Sequence, residues 1–239
     1  MTRHARGFSL IEMAFVLVIV TLLLGGLLVP FATQVEQKRI GETNKALEEI
    51  KEALIGYALS HGPVGAPHLP CPDANAGAIA PNINNDGLED RQADGECERS
   101  EGNLPWATLG VGNQDAWGNR FHYRVTPAFS KSDGFKLDTL SSIDICSAAA
   151  CATTIASDVP AVVVSYGKNG YGAINSNSAG ALNSLPTSAD ELENQPGNNI
   201  YVSHTLILPG IGNTEFDDQV MWLSRNVLFN RMVAAGRLP

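Results

Sequence analysis

The chain has 239 residues, 44% of them hydrophobic and 17% charged, with 16 basic against 25 acidic side chains and a net charge of −9. That length fits one compact domain with chain to spare, or two small ones. So apolar a composition excludes a disordered chain, and the acidic excess leaves no basic footprint for nucleic acid. The mean hydropathy of −0.03 suits a soluble protein, but it averages two unlike pieces.

Residues 8–35 read FSLIEMAFVLVIVTLLLGGLLVPFATQV; twenty of these 28 are hydrophobic and Glu12 is the sole charge. The uncharged run Met13–Ala32 is 20 residues, the span of a bilayer's hydrocarbon core. The leader before it, MTRHARG, carries Arg3 and Arg6. Positive charge on that side keeps the leader cytoplasmic and the remaining chain outside. Three readings compete. A secretory signal has a shorter apolar core and a small-residue cleavage site, whereas Ala32-Thr33-Gln34 leads straight into a polar helix. A plain membrane anchor accounts for the length. It leaves Glu12 unexplained unless the carboxylate snorkels to the interface, because a charge within the bilayer is costly.

The third reading takes the whole string Gly7-Phe8-Ser9-Leu10-Ile11-Glu12 with its basic leader and apolar run. It resembles the processing site of type IV prepilins and type II secretion pseudopilins. The resemblance implies cleavage by a prepilin peptidase between Gly7 and Phe8 and N-methylation of Phe8. The mature chain would have 232 residues, 239 less the seven of the leader. It further implies a single-pass protein of the bacterial inner membrane with a periplasmic head. The implied partners are copies of itself or other pilin-like subunits, and a secretion or pilus assembly platform. Within such a filament, a buried carboxylate needs a counter-charge. The free amine of a neighbouring Phe8 supplies one to Glu12 and fixes the axial register, since one stagger alone neutralises both charges.

Beyond Val35 the chain turns polar but keeps helical spacing. Ile40, Leu47, Ile50, Leu54 and Tyr57 form one apolar stripe, with Glu36, Lys38, Arg39, Glu42, Lys45, Glu48, Glu49 and Lys51 opposite. Gly62-Pro63 stops the helix. A helix from Phe8 to about His61 is roughly 80 Å long. Its second half packs on a head, and its first half is left for lipid or other subunits. Gly25-Gly26 and Pro30 are breakers within the apolar half; in the resembling family such breakers accompany local melting of the helix during assembly.

From Gly62 onward, strand-like runs are Arg120–Val125, Ala161–Tyr166, Ile200–Leu208 and Gln219–Leu223. Phe121, Tyr123 and Val125 alternate, whereas Ala161–Tyr166 is continuously apolar and suits a strand buried on both faces. A C-terminal helix follows, with Ser224 at its N-cap, Val227, Leu228, Met232 and Val233 on its apolar face, and Gly236 at its stop. The expected fold class is α+β: one long N-terminal helix against a small antiparallel sheet with long, disulfide-bearing loops. The expected parts are a leader (1–7), an apolar helix (8–35), an amphipathic continuation (36–61) and the head (62–239). Asp115-Ala116-Trp117-Gly118-Asn119-Arg120-Phe121-His122-Tyr123 resembles the Asp-x-Trp-Gly segment of the major type II pseudopilin. Ser165-Tyr166-Gly167-Lys168-Asn169-Gly170 resembles a loop of that same protein. Mechanically, the first string is a turn feeding a strand, with Trp117 as a core anchor. Residues 71–101 and 126–158 read as insertions relative to that pattern.

Cys71, Cys97, Cys146 and Cys151 all lie beyond the apolar segment, and an even count in an exported region reads as disulfides. Of three pairings, Cys71–Cys97 with Cys146–Cys151 is the most economical. Zinc is the alternative, since His61 and His68 lie near Cys71, but no C-x-x-C is present. Two acidic stretches are candidate calcium ligands: Asp86, Asp90 and Asp94, in and after the string Asn82–Asp90, and Asp190, Glu191, Glu193 and Asn194, with Asp190 and Glu193 as the main ligands. The major pseudopilin holds calcium in a comparable C-terminal loop. The competing reading of both stretches is a solvated acidic loop. No G-x-S-x-G, H-E-x-x-H or P-loop is present, so a membrane-tethered enzyme ranks below a structural filament subunit and below a minor tip pilin that binds a surface or an exported substrate.

Overall fold

The computed structural model describes residues 9–74, 85–177, 181–207 and 214–239, and within the first helix the side chains of 24–32 lie outside the description. The chain divides into two compact units, Met1–Gly41 and Glu42–Pro239.

Helix α1 spans Leu10–Ser60 as one element, across Gly25, Gly26 and Pro30. In the first unit its apolar side chains stand exposed on every face, from Leu10 at 92% to Leu23 at 61%. Thr21 is the polar exception, and its hydroxyl is satisfied by donating to the carbonyls of Leu17 and Val18. Among the described residues no helix is long and apolar enough to cross a membrane; the expected run Met13–Ala32 passes through residues whose side chains are not described.

The second unit begins with the amphipathic half of α1. The predicted stripe is buried at Leu47, Ile50, Leu54 and Tyr57, joined by Thr43, Ile55 and Ala58. Strands β1 (Glu101–Asn103), β2 (His122–Val125), β5 (Ala161–Ser165) and β7 (Gln219–Leu223) form an antiparallel sheet in the order β1-β2-β5-β7. One face of this sheet offers Phe121, Tyr123, Val125, Val163 and Leu223 to α1. The C-terminal helix α5 (Arg225–Ala234) completes that core with Leu228 and Met232. Short helices α2 (Trp106–Leu109) and α3 (Pro127–Ser130) lie in the connections.

The expectation of one small antiparallel sheet is corrected here. A second sheet, in the order β4-β3-β6, contains β3 (Ile143–Cys146), β4 (Thr154–Val159) and β6 (Ile200–Val202), and β3 pairs with β6 in parallel. Two of its strands arise from the stretch read as an insertion. This sheet packs Ile143, Ile145, Val159 and Tyr201 against Val162 and Val164 on the other face of β5. β5 is therefore buried along its whole length, the condition that its unbroken apolar run implies. A short helix α4 (Ala189–Glu193) precedes β6.

The C-terminal helix stops as expected, with Gly236 at φ +67° just after its C-cap, but its N-cap and apolar face differ in detail. Ser224 occupies the N-cap position, but its side chain makes no capping hydrogen bond. Val227 and Val233 are 42% and 44% exposed, so Leu228 and Met232 carry the packing. Trp117 is half-buried and outside both cores, whereas Trp106 and Trp222 pack at their margins.

His122 is buried between the sheets, with its Nε2 3.4 Å from the Tyr201 hydroxyl. Burial pushes its pKa from 6.5 down to about 4. The folded head keeps the ring neutral, while the unfolded chain takes up a proton below pH 6.5. Stability from this residue is thus full above pH 6.5 and is lost as pH falls through 4, about 3 kcal/mol in all. We expect His122→Gln to flatten the acid side of a stability–pH curve over that window, as read by urea denaturation.

Both disulfides join the pairs Cys71–Cys97 and Cys146–Cys151. The zinc alternative is set aside, because no cysteine is free. His61 stacks on Tyr57 at 3.8 Å, and His68 is buried with its ring against Arg91 and the Leu69 carbonyl.

Candidate functional site

The chemistry-bearing residues fall in two places. The first is the start of α1. Gly7 and Phe8, the expected processing residues, lie outside the described residues. Glu12 is described. Its Oε2 accepts from the Ser9 backbone N–H at 2.9 Å, and its own N–H donates to Ser9 Oγ at 3.4 Å. This reciprocal pair is a capping box, which satisfies two of the helix's otherwise unpaired amides. The carboxylate also lies in the first turn, where the helix dipole favours negative charge. Sequence reasoning read Glu12 as a charge in want of a distant partner. The overlooked signal was Ser-x-x-Glu ahead of an apolar run, the spacing of a capping box. Within a single chain Glu12 already has a donor, and a carboxylate has lone pairs for others.

The second place is a carboxylate cluster in which Glu191 and Asp218 are buried and Asp217 is half-buried. Helix α4 supplies Glu191, 1% exposed, and the entry to β7 supplies Asp217 and Asp218. One ligand oxygen from each lies within 4.8 Å of the others. Asn169 ties the cluster to the 165–170 loop: its Nδ2 donates to Glu191 Oε1 and its backbone N–H to Asp217 Oδ2. Asn194 ties it to β6: its Nδ2 donates to Asp218 Oδ2 and the Val202 carbonyl, and its Oδ1 accepts from Val202 N–H. Burial raises the pKa of all three carboxyls, that of Asp217 to about 7, and neighbouring acids, Glu215 among them, push the same way.

Gly167 permits this approach. Its φ is +56°, and a Cβ there would run into the Asp217 carbonyl and carboxylate. Gly167→Ala is expected to cost about 2 kcal/mol or more, since clash adds to left-handed strain. Gly110 has φ +69° but nothing within 4 Å of an added Cβ, so Gly110→Ala should cost only about 1 kcal/mol. Thermal unfolding of the two variants measures the difference.

The sequence-predicted calcium residues are placed otherwise. Asp86 Oδ1 accepts from Leu88 N–H and Asp94 Oδ1 from Glu96 N–H, so these two hold local turns, whereas Asp90 Oδ2 accepts from Ala74 N–H and ties its loop to a segment 16 residues away. That loop wraps another acid, the fully buried Asp73, which accepts from the N–H groups of Asn85 and Gly87. Asp190 accepts from Ala149 N–H and pairs with His204, and Glu193 accepts from Asn198. On α4 it is Glu191, between them, that turns inward. Asp217 and Asp218 were missed because an acidic pair ahead of a strand looks like any solvated turn.

The Asp115 string is a turn built on a carboxylate. Asp115 Oδ1 accepts from the N–H groups of Trp117 and Asn119, and Oδ2 from the Ser165 hydroxyl. Ala116 N–H donates to Thr43 Oγ1 on α1. The Asp115–Tyr123 string and the Ser165–Gly170 loop therefore meet at Asp115–Ser165.

Residues 2–28 match the family model of the prokaryotic N-terminal methylation motif, the signature of type IV pilins and pseudopilins. The chain carries that motif over its leader and the start of α1, and the match does not extend into the head. No curated protein and no solved structure matches the chain.

Proposed function

We propose that the chain is a structural, pilin-like subunit of a type II secretion pseudopilus. Prepilin peptidase cuts it between Gly7 and Phe8, and it is inserted once in the inner membrane with its head in the periplasm. It then joins copies of itself or other pilin-like subunits on the assembly platform. The observation that carries this reading is the methylation motif at residues 2–28, running directly into a helix whose apolar residues Leu10–Leu23 stand exposed. A row of exposed apolar side chains of that length requires cover from lipid or neighbouring helices. The pseudopilus is favoured over the type IV pilus by the Asp115–Asn119 turn and the Ser165–Gly170 loop, which resemble the major pseudopilin and bond to each other. A deletion strain scored for both outputs tests it. Loss of enzyme secretion with piliation intact supports the pseudopilus; loss of pili alone assigns the chain to a type IV pilus and overturns that choice.

A further inference from the structure

We propose that the head carries both halves of a contact between copies of this chain: an apolar cleft at one end and a leucine knob on α4 at the other. The proposal rests on the filament reading above and names the surfaces that meet. The cleft, about 590 Å³, lies where the chain leaves α1 and is walled by Val64, Leu137, Leu238 and Pro239, a volume within the range of ligand sites. Val64 and Leu137 are 82% and 43% exposed, so apolar surface stands open there. Lys136 and Arg237 outnumber Asp138 on the side-chain lining, in a chain whose net charge is −9. Arg237 donates to the carbonyls of His61 and Gly62, and its Nε is buried without a hydrogen bond.

The knob has the complementary character. Leu192 on α4 and Leu185 just before that helix are 49% and 61% exposed. They stand close together, because the Ser184 carbonyl accepts from Gly172 N–H and Gly172 lies against Gln195 just beyond α4. Asp190 and Glu193 lie on the same helix, partly open to solvent. Leucines beside two carboxylates match an apolar cleft beside two cations, and such matching sets orientation as well as partner.

The two halves lie too far apart to meet within one head. Asp217 N–H donates to Glu191 on α4, and two residues later Gln219 pairs with Ser165. The Ser165 hydroxyl donates to Asp115, and the next residue, Ala116, donates to Thr43 on α1. The knob is therefore anchored near Thr43, whereas Arg237 anchors the cleft just past Ser60, the end of α1. The intervening 17 residues of helix span about 26 Å. A knob and a cleft at opposite ends join different copies, and this head-to-tail pairing leaves one of each free at the ends of a row. It thus propagates as an open filament, which selects a second copy of the chain as the occupant.

The test co-expresses two differently tagged full-length chains, one with Leu137→Cys and one with Leu192→Cys. Both positions are exposed, so the fold is spared. Mild oxidation of sheared filaments should give the mixed disulfide dimer, and neither variant alone should give a dimer. Lys136→Glu and Glu193→Lys should each lower filament incorporation about tenfold, and together should restore it to within about threefold of wild type. Filaments that contain both cysteine chains but no mixed dimer overturn the contact and leave the filament reading standing, as does a double reversal no better than either single. A wild-type chain that never enters a filament overturns both. Crosslinking of either cysteine to a different protein, in place of the mixed dimer, overturns the second copy as occupant.

Discussion

Glu12→Ala is expected to leave membrane insertion and leader removal intact and to reduce filament incorporation about a hundredfold. The substitution does two things at once. It removes the acceptor for Ser9 N–H at the start of α1, worth about 1 kcal/mol as a helix cap. If Glu12 pairs with the amine of a neighbouring subunit in the filament, it also strips that amine of its counter-charge, and breaking a desolvated pair costs about 3 kcal/mol or more. Glu12→Gln separates the two. Glutamine keeps the capping geometry, because either Glu or Gln closes a capping box, but it carries no charge. If the inter-subunit pair sets the register, Gln should fail as Ala does. Normal incorporation of Glu12→Gln would sink the charge pair and leave Glu12 a helix cap only. Sheared filament fractions probed for the protein, normalised to total processed chain, give the measurement.

Removing the Cys71–Cys97 bridge should destabilise the head by about 3.5 kcal/mol, from chain entropy over a separation of 26 residues. The Cys146–Cys151 bridge closes only 5 residues and should contribute about 2 kcal/mol on the same basis. The longer bridge also holds a polar network together. Glu89 accepts from Cys71 N–H and from the Tyr57 hydroxyl on α1, and it pairs with Arg91 at 3.0 Å. Arg91 in turn donates to the carbonyls of Gly95 and Ser130. With Cys71 and Cys97 both replaced by Ser, the returning loop gains freedom and these bonds weaken with it. Denaturant unfolding of the double variant, beside the Cys146→Ser/Cys151→Ser pair, should show the larger loss in the first. Equal losses would mean that loop length does not govern the effect.

The sequence was most legible where one strong period dominates. The apolar stripe of α1 emerges buried at Leu47, Ile50, Leu54 and Tyr57, because helical spacing has a single solution once one face must be covered. Gln219–Leu223 appears as strand β7, buried at alternate positions, and the unbroken apolar run Ala161–Ser165 as strand β5, buried on both faces. Three strands escaped. β1 (EGN) carries no β-branched or aromatic residue, β3 is four residues long, and β4 buries one residue of six. Those strands take their structure from their neighbours, so the second sheet could not be seen before its partner strands were placed. The site followed the same rule. Ser9 and Glu12 lie three residues apart and their pairing was open to reading, although the charge drew attention away from the cap. Glu191 and Asp217 are brought together across 26 positions by the fold, and no local pattern announces such a meeting.

The central claim is that this chain is processed as a pilin. Intact mass and N-terminal peptide mass spectrometry of the protein from its native membrane test it most directly. The account predicts a chain that begins at Phe8, with one methyl group on its amine and the seven-residue leader gone. A mature protein that retains Met1, or one cut beyond Ala32, would contradict it.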